Sequence, residues 1–387
     1  MAVPICPPVK YNNSRIGSIR ARSLNKTQGA NVRLGIAFFG AATLFLTSCC
    51  WAEPYFAARK GVSCNACHAN DTGGFARNDF GRTFGEGLET FDWQGISEDA
   101  PAPKAHVTRR LAIGGDLHMG YVLNDNSQIS SFDLGRQYFY LMAYLNDAIK
   151  GVVSYSPTGA KEIYGLVSLP SDAYLKMGTF HIPYGLMLAD DNSYIRNGLG
   201  FSYTRTEVGI EAGIYPGPAF LKVAAFNGNG ASPVGVDQQK AFSTWGGVNF
   251  TDFTIGGSCY YLSPSSSQNQ GYQLRFGGFG WAKIWRVVLM GEYDRGYNAF
   301  DLAGTNVDRM IAIHGSAEID LGDSVFIRLQ REYLNPSLAV DDESARSVAG
   351  VRFFPVQNLQ VSLDYQLIEP VAGSSTGGII ADTHVFF

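Results

Sequence analysis

The stretch Leu359-Gln360-Val361-Ser362-Leu363-Asp364-Tyr365-Gln366-Leu367 alternates apolar and polar side chains without a break. Successive side chains of an extended strand point to opposite faces, so this stretch has one greasy and one wet face. The parity recurs upstream. Val325, Ile327 and Leu329 alternate with Phe326, Arg328 and Gln330, and Ile311 and Ile313 with Ala312, His314, Ser316 and then Glu318. Extended over the chain, the pattern predicts sixteen strands, near 108–123, 132–146, 149–157, 161–169, 172–179, 205–215, 218–227, 240–250, 253–262, 271–280, 283–294, 306–319, 323–334, 345–354, 358–369 and 379–387.

A soluble sandwich also alternates, so the connections decide. Joins after even-numbered strands are tight: Asp147-Ala148, Pro170-Ser171, Pro216-Gly217, Thr251-Asp252, around Ala282, Gly322 and Val356-Gln357. Those after odd-numbered strands are longer and rich in Asn, Ser, Gly and Asp, as in Asn124 to Ser131 and Ser263 to Gln270. Short turns at one end, long loops at the other and an even strand count are the marks of a bacterial outer-membrane barrel. The expected fold is therefore mainly β, an antiparallel barrel of about sixteen strands over 107–387. Such a wall meets lipid on its outside and encloses a wide lumen. The ending Thr383-His384-Val385-Phe386-Phe387 suits the assembly of such barrels. The composition agrees, with 45 Gly, 25 Phe, 20 Tyr and only 17% charged residues in 387.

Residues 1–52 hold six of the 30 basic residues, the last at Arg33, and none of the 34 acidic ones, and they include the apolar run Leu34 to Thr47. They read as a leader and secretory signal, too short in apolar length for a membrane helix. Cleavage is expected after Ala52, with lipid attachment at Cys49 as the alternative. Without the leader the formal charge moves from −4 to −10, which argues against nucleic acid as a partner.

Between the leader and the barrel lies Cys64-Asn65-Ala66-Cys67-His68. Two thiols two residues apart with an imidazole directly after them are the attachment pattern of a c-type haem. Each thiol adds to a vinyl group, and the histidine binds the iron from below. A redox pair needs no trailing histidine, and a zinc site needs two further ligands nearby. Residues 53–106 thus read as a monohaem segment, with Cys64, Cys67 and His68 holding one covalent haem c. Phe80, Phe84 and Leu88 form a helical stripe, Arg77 and Arg82 are candidates for the propionates, and Asp99-Ala100-Pro101-Ala102-Pro103 is a linker. A segment this short buries too little surface to stand alone, so it is expected to plug the lumen.

Phe132-Asp133-Leu134-Gly135-Arg136 and Lys176-Met177-Gly178-Thr179-Phe180-His181-Ile182-Pro183-Tyr184-Gly185 resemble barrel motifs of phosphate-selective-type porins. Ala58 to His68, with Phe80-Gly81-Arg82-Thr83-Phe84 after it, resembles the fused monohaem cytochrome–porins of iron-oxidising bacteria. The resemblance implies electron transfer across the outer membrane through the haem. Its partners would be a periplasmic c-type cytochrome and an extracellular donor or acceptor such as ferrous iron. The chain would be an electron carrier, or at most an iron-oxidase-type cytochrome. The alternative is a porin for anions or small solutes with a haem-bearing plug or redox gate.

The sequence leaves the sixth haem ligand open. Parity puts His118, with Asp116, on the lumen face of the first strand, and Met142 on a face with Tyr138, Tyr140 and Tyr144. His181 is placed in the longest outer loop, and His106 is nearest in sequence. Asp190-Asp191 and Asp341-Asp342-Glu343 are expected in outer loops, where their oxygens suit a hard cation.

Overall fold

Parity is a physical fact of this wall. Ile255, Ile313 and Leu363 are 61%, 40% and 57% exposed, whereas their neighbours Thr254, His314 and Ser362 are 8%, 3% and 6% exposed. Apolar side chains point outward and polar ones inward, the reverse of a soluble protein and the arrangement lipid demands. The computed structural model describes residues 54–60, 67–70, 76–77 and 106–386, the last with breaks at 109, 125–129, 134, 136, 158, 189, 191, 203–204, 229, 231–238, 267–268, 305, 323, 357 and 372.

Sixteen antiparallel staves close into a barrel. They are β1 (Leu111–Asn124), β2 (Ser130–Asp133 and Gln137–Tyr144), β3 (Ile149–Ser156), β4 (Gly159–Leu169), β5 (Ala173–His181), β6 (Thr206–Ile214), β7 (Ala219–Phe226) and β8 (Ala241–Asn249). Then follow β9 (Phe253–Leu262), β10 (Gln273–Ile284), β11 (Val287–Ala299), β12 (Val307–Gly322), β13 (Val325–Asn335), β14 (Ser344–Val356), β15 (Leu359–Pro370) and β16 (Thr376–Phe386). Each pairs with the next, and β16 returns to β1 with Gly378 opposite Asn124 and Phe386 opposite Asp116. Closure leaves no open edge, so every strand finds its hydrogen bonds within the wall. A three-residue strand, His106–Thr108, folds back on the start of β1. Among the described residues no helix is long and apolar enough to cross a membrane; the strands do the crossing.

The tight turns are built as hairpins require. Ser171 and Asp172 between β4 and β5 both have positive φ, 63° and 54°, and with Pro170 they make the three-residue connection between the paired Leu169 and Ala173. The turn expected around Ala282 lies instead at Trp285-Arg286, because Ile284 pairs with Val287 and β10 runs further than its alternation suggested. Trp285, 83% exposed, stands at that rim where an aromatic side chain suits a lipid interface.

One outer connection leaves the wall and enters the barrel. After β5 the chain turns inward through Ile182, Tyr184, Leu186, Met187 and Leu188, all buried, and includes a helical turn, Tyr194–Gly198. Gly185 (φ 56°) makes this crossing possible, since a Cβ there would fall 1.9 Å from Glu292 Oε1.

Candidate functional site in the barrel lumen

The described parts of the N-terminal segment lie against lumen-facing side chains. A short helix, α1 (Pro54–Lys60), begins on a proline, which suits the first helical position because its missing N–H has no partner to lose. The Tyr55 hydroxyl donates to Ser316 Oγ at 2.6 Å, and Lys283 Nζ donates to the Arg59 carbonyl at 2.9 Å. The Arg59 guanidinium pairs with Glu318 and covers the Phe326 ring at 3.8 Å. Glu318 also takes a bond from Arg352 Nη1 at 2.7 Å. Burial, reinforced by Glu318, raises the Tyr55 pKa above its ordinary value, so its hydroxyl stays a donor. Burial lowers the Arg59 pKa, with Glu318 opposing it.

Further along, His68 and Arg77 form an antiparallel bridge, closed by a bond from Ala69 N to Ala76 O at 2.8 Å. Asn70 faces the opposite wall from α1. Its Nδ2 donates to Glu162 Oε1 on β4 at 2.9 Å, and its Oδ1 accepts from Lys176 Nζ on β5 at 2.9 Å. Lys176 also pairs with Glu211 of β6 at 2.8 Å, both fully buried. Breaking one partner of such a pair leaves an uncompensated buried charge, at a cost of about 3–5 kcal/mol.

Arg77 connects this bridge to the barrel seam. Its guanidinium lies 3.9 Å from the Phe386 ring centroid and is electrostatically linked to Asp116, Tyr140 and Cys67. Burial pulls its pKa down, and those three groups push it back up. At the seam, Asp116 and His118 of β1 meet His384 of β16. His384 Nε2 lies 2.8 Å from Asp116 Oδ1, the two imidazoles stack at 4.5 Å, and Tyr140 donates to Asp116 Oδ2 at 3.2 Å. Gly135 interrupts β2 beside this cluster, where a Cβ would come within 3.0 Å of His118 Cβ.

The inward loop is tied to the wall by charge and backbone alike. Tyr184 donates to Asp294 at 2.8 Å, Gly185 N donates to Ser258 Oγ at 2.8 Å, and the Trp245 ring N–H donates to Gly185 O at 3.0 Å. Asp190 lies 2.7 Å from Arg346 and 3.2 Å from Arg328. Burial raises the Asp190 pKa, but the two guanidiniums outweigh it and hold the carboxyl well below the usual range. Burial raises the Tyr184 hydroxyl, and Asp294 adds to the effect. From the loop a chain of bonds runs back to α1. Ser193 donates to Glu332, Glu332 meets His314 Nδ1 at 2.9 Å, and His314 Nε2 meets Ser316 Oγ at 2.9 Å.

Of the residues singled out in the sequence, Cys67 and His68 lie beside the lumen wall, with His68 buried and Cys67 half-buried. Cys64, the leader, the Phe80–Leu88 stripe, Arg82 and the linker lie outside the described residues. His118 faces the lumen as parity required, and so does Met142, near the Tyr144 hydroxyl at 4.0 Å. His106 is placed by its backbone on the short strand against β1. Two expectations are corrected. His181 is not in the outer loop but ends β5, because Phe180 and His181 still pair with Glu207 and Thr206. Asp190 is not an exposed cation trap; it is consumed by two arginines inside the lumen, while Asp191 lies outside the described residues. Asp342 and Glu343 accept bonds from Ser337 N and Asn335 Nδ2, so they serve their own loop. Sequence reasoning missed His384. Its signal was present, since barrel closure puts the last strand beside the first and makes His384 the partner of His118.

No protein-family model matches the chain, and no curated protein matches it significantly. Solved structures match its fold. A loop-deletion variant of OmpT, an outer-membrane protein of Vibrio cholerae, superposes with a TM-score of 0.57 at 12% identity, over 72% of this chain and 99% of that one. The anion-selective porin from Comamonas acidovorans gives 0.56 at 11%, over 72% and 99%. The outer-membrane channel DcaP of Acinetobacter baumannii gives 0.53 at 10%, over 72% and 97%. The likeness is one of fold: a porin-like barrel.

Proposed function

We propose that this chain is an electron conduit of the bacterial outer membrane, with one covalent haem c held on the segment that enters the lumen. The observation that supports it best is positional. The two-thiol-plus-histidine motif lies on a stretch whose described residues bond to the lumen face from both sides, through Tyr55 and Asn70.

Cys64 and Cys67 would carry the thioether links and His68 would bind the iron. A bound haem supplies a one-electron couple whose potential depends on its ligands and surroundings. The chain's own part is to hold that segment and to limit water around it. Lumen-wall groups do the holding, and the buried side chains near His68, with Arg77 across the bridge, set the local field. Electrons would pass between a periplasmic c-type cytochrome and an outside donor or acceptor such as ferrous iron.

A second reading is a solute porin gated by the segment. The inward loop favours it, since porin-like walls with a loop folded into the lumen narrow the path that a solute would take, and here that loop is bonded to the wall at Ser258 and Trp245. The test is the full chain in liposomes with a redox dye trapped inside and ferrous iron or dithionite outside. Reduction of the dye without its leakage, lost in Cys64→Ala, supports the conduit. Equal solute passage through wild type and Cys64→Ala, with dye reduction the same in both, supports the porin.

A further inference from the structure

We infer that Asp116, His118 and His384 bind one first-row divalent transition-metal ion at the seam where β16 closes on β1. This goes beyond the conduit reading and does not depend on a haem.

Three lines of geometry carry it. Asp116 and His118 are two apart on one strand and so share the lumen face, and His384 is the cross-strand partner of His118. One donor atom from each of the three lies within 4.8 Å of the others. Ligands bound at about 2.0–2.2 Å to one ion lie at most about 4.4 Å apart. The pairs His384–Asp116 at 2.8 Å and His118–Asp116 at 3.9 Å are within that reach, so an ion would need only small side-chain shifts to bind all three. Two imidazoles with one carboxylate is a donor set for ions such as iron(II), cobalt(II) or zinc, and not for calcium or magnesium.

The surroundings are those of an oriented site. His118 Nδ1 lies 3.5 Å from Asp382 Oδ2, which leaves its Nε2, 3.9 Å from Asp116 Oδ1, directed at the cluster. A carboxylate behind a ligating imidazole fixes its tautomer and orientation. The other Asp116 oxygen receives the Tyr140 hydroxyl. Glycine at 135 leaves room for the His118 side chain to hold this position. Both histidines are at most 5% exposed, and the Asp116 carboxylate, which also faces Arg77, supplies the negative charge beside their ring nitrogens. An ion here would tie the first stave to the last, and His118 would then belong to it rather than to the haem.

The test uses the full chain in detergent, stripped with EDTA and titrated with zinc chloride, with bound metal read by calorimetry and elemental analysis. We expect one zinc per chain, with affinity at least tenfold weaker in Asp116→Asn and His384→Gln. Folding of each variant is checked by its heat-dependent gel mobility, and His118→Gln replaces either one that does not fold. The double variant Cys64→Ala, Cys67→Ala carries no haem and is expected to bind zinc as wild type does, so loss of the haem reading would leave this site standing. Absence of stoichiometric zinc in wild type, or unchanged affinity in the folded variants, overturns the inference.

Discussion

The Tyr55 hydroxyl donates to Ser316 Oγ at 2.6 Å across 261 positions of sequence. Ser316 can then give its own proton to His314 Nε2, and His314, with its proton on Nδ1, donates to Glu332. Glu332 accepts in turn from Ser193 and from Arg346, which reaches Asp190. The helix at one end of the lumen and the loop folded in from the other end thus share a continuous ladder of polar contacts.

Tyr55→Phe removes the first rung and keeps the ring. A single net hydrogen bond contributes about 0.5–1.5 kcal/mol, so the barrel stays folded. The N-terminal segment is expected to become more sensitive to limited proteolysis, with a melting temperature lowered by a few degrees. Unchanged protease kinetics would show that the Tyr55 hydroxyl is not what holds α1.

Asp190→Asn leaves Arg328 and Arg346 without their carboxylate in the lumen. Higher single-channel conductance in planar bilayers and a shift toward anion selectivity are expected. In wild type the carboxyl pKa is depressed on folding, so its contribution is complete above the ordinary carboxylate value, about 4, and is lost as pH falls below that. The loop is therefore expected to keep its closed conductance at pH 5 and to loosen only in stronger acid.

Asn70→Ala deprives Glu162 and Lys176 of the amide that joins them. Unsatisfied buried groups cost about 1–3 kcal/mol each. The segment is expected to detach from this wall, seen as faster cleavage within 61–105 and increased solute flux in liposome swelling. Parallel behaviour of Asn70→Ala and wild type in both assays would count against a latch.

Leu363→Arg puts a charge on the outer face, where Leu363 is 57% exposed. Near mid-membrane such a change costs about 2–4 kcal/mol, read from denaturant titrations of folding into vesicles. The inward-facing Ser362→Arg is expected to show no comparable lipid penalty.

The wall was legible in the sequence because its signal is local. Side-chain parity along Leu359–Leu367 and the sorting of short and long connections depend only on neighbours in the chain. His118 was placed inward for the same reason. The interior was not legible, since its partners are far apart and joined by no rule of the wall: Asn70 with Lys176, Asp190 with Arg346. Asp190 illustrates the difference. An acidic pair in a long connection reads as solvent-exposed, and only the inward path of the loop brings it to two arginines on β13 and β14.

The anchoring of the N-terminal segment bears on the mechanics of the ring. Tyr55 is fastened to β12, and Asn70 to β4 and β5, strands on different sides of the ring. The segment is therefore a brace across the cylinder as well as its contents, joining staves at least seven places apart around the wall.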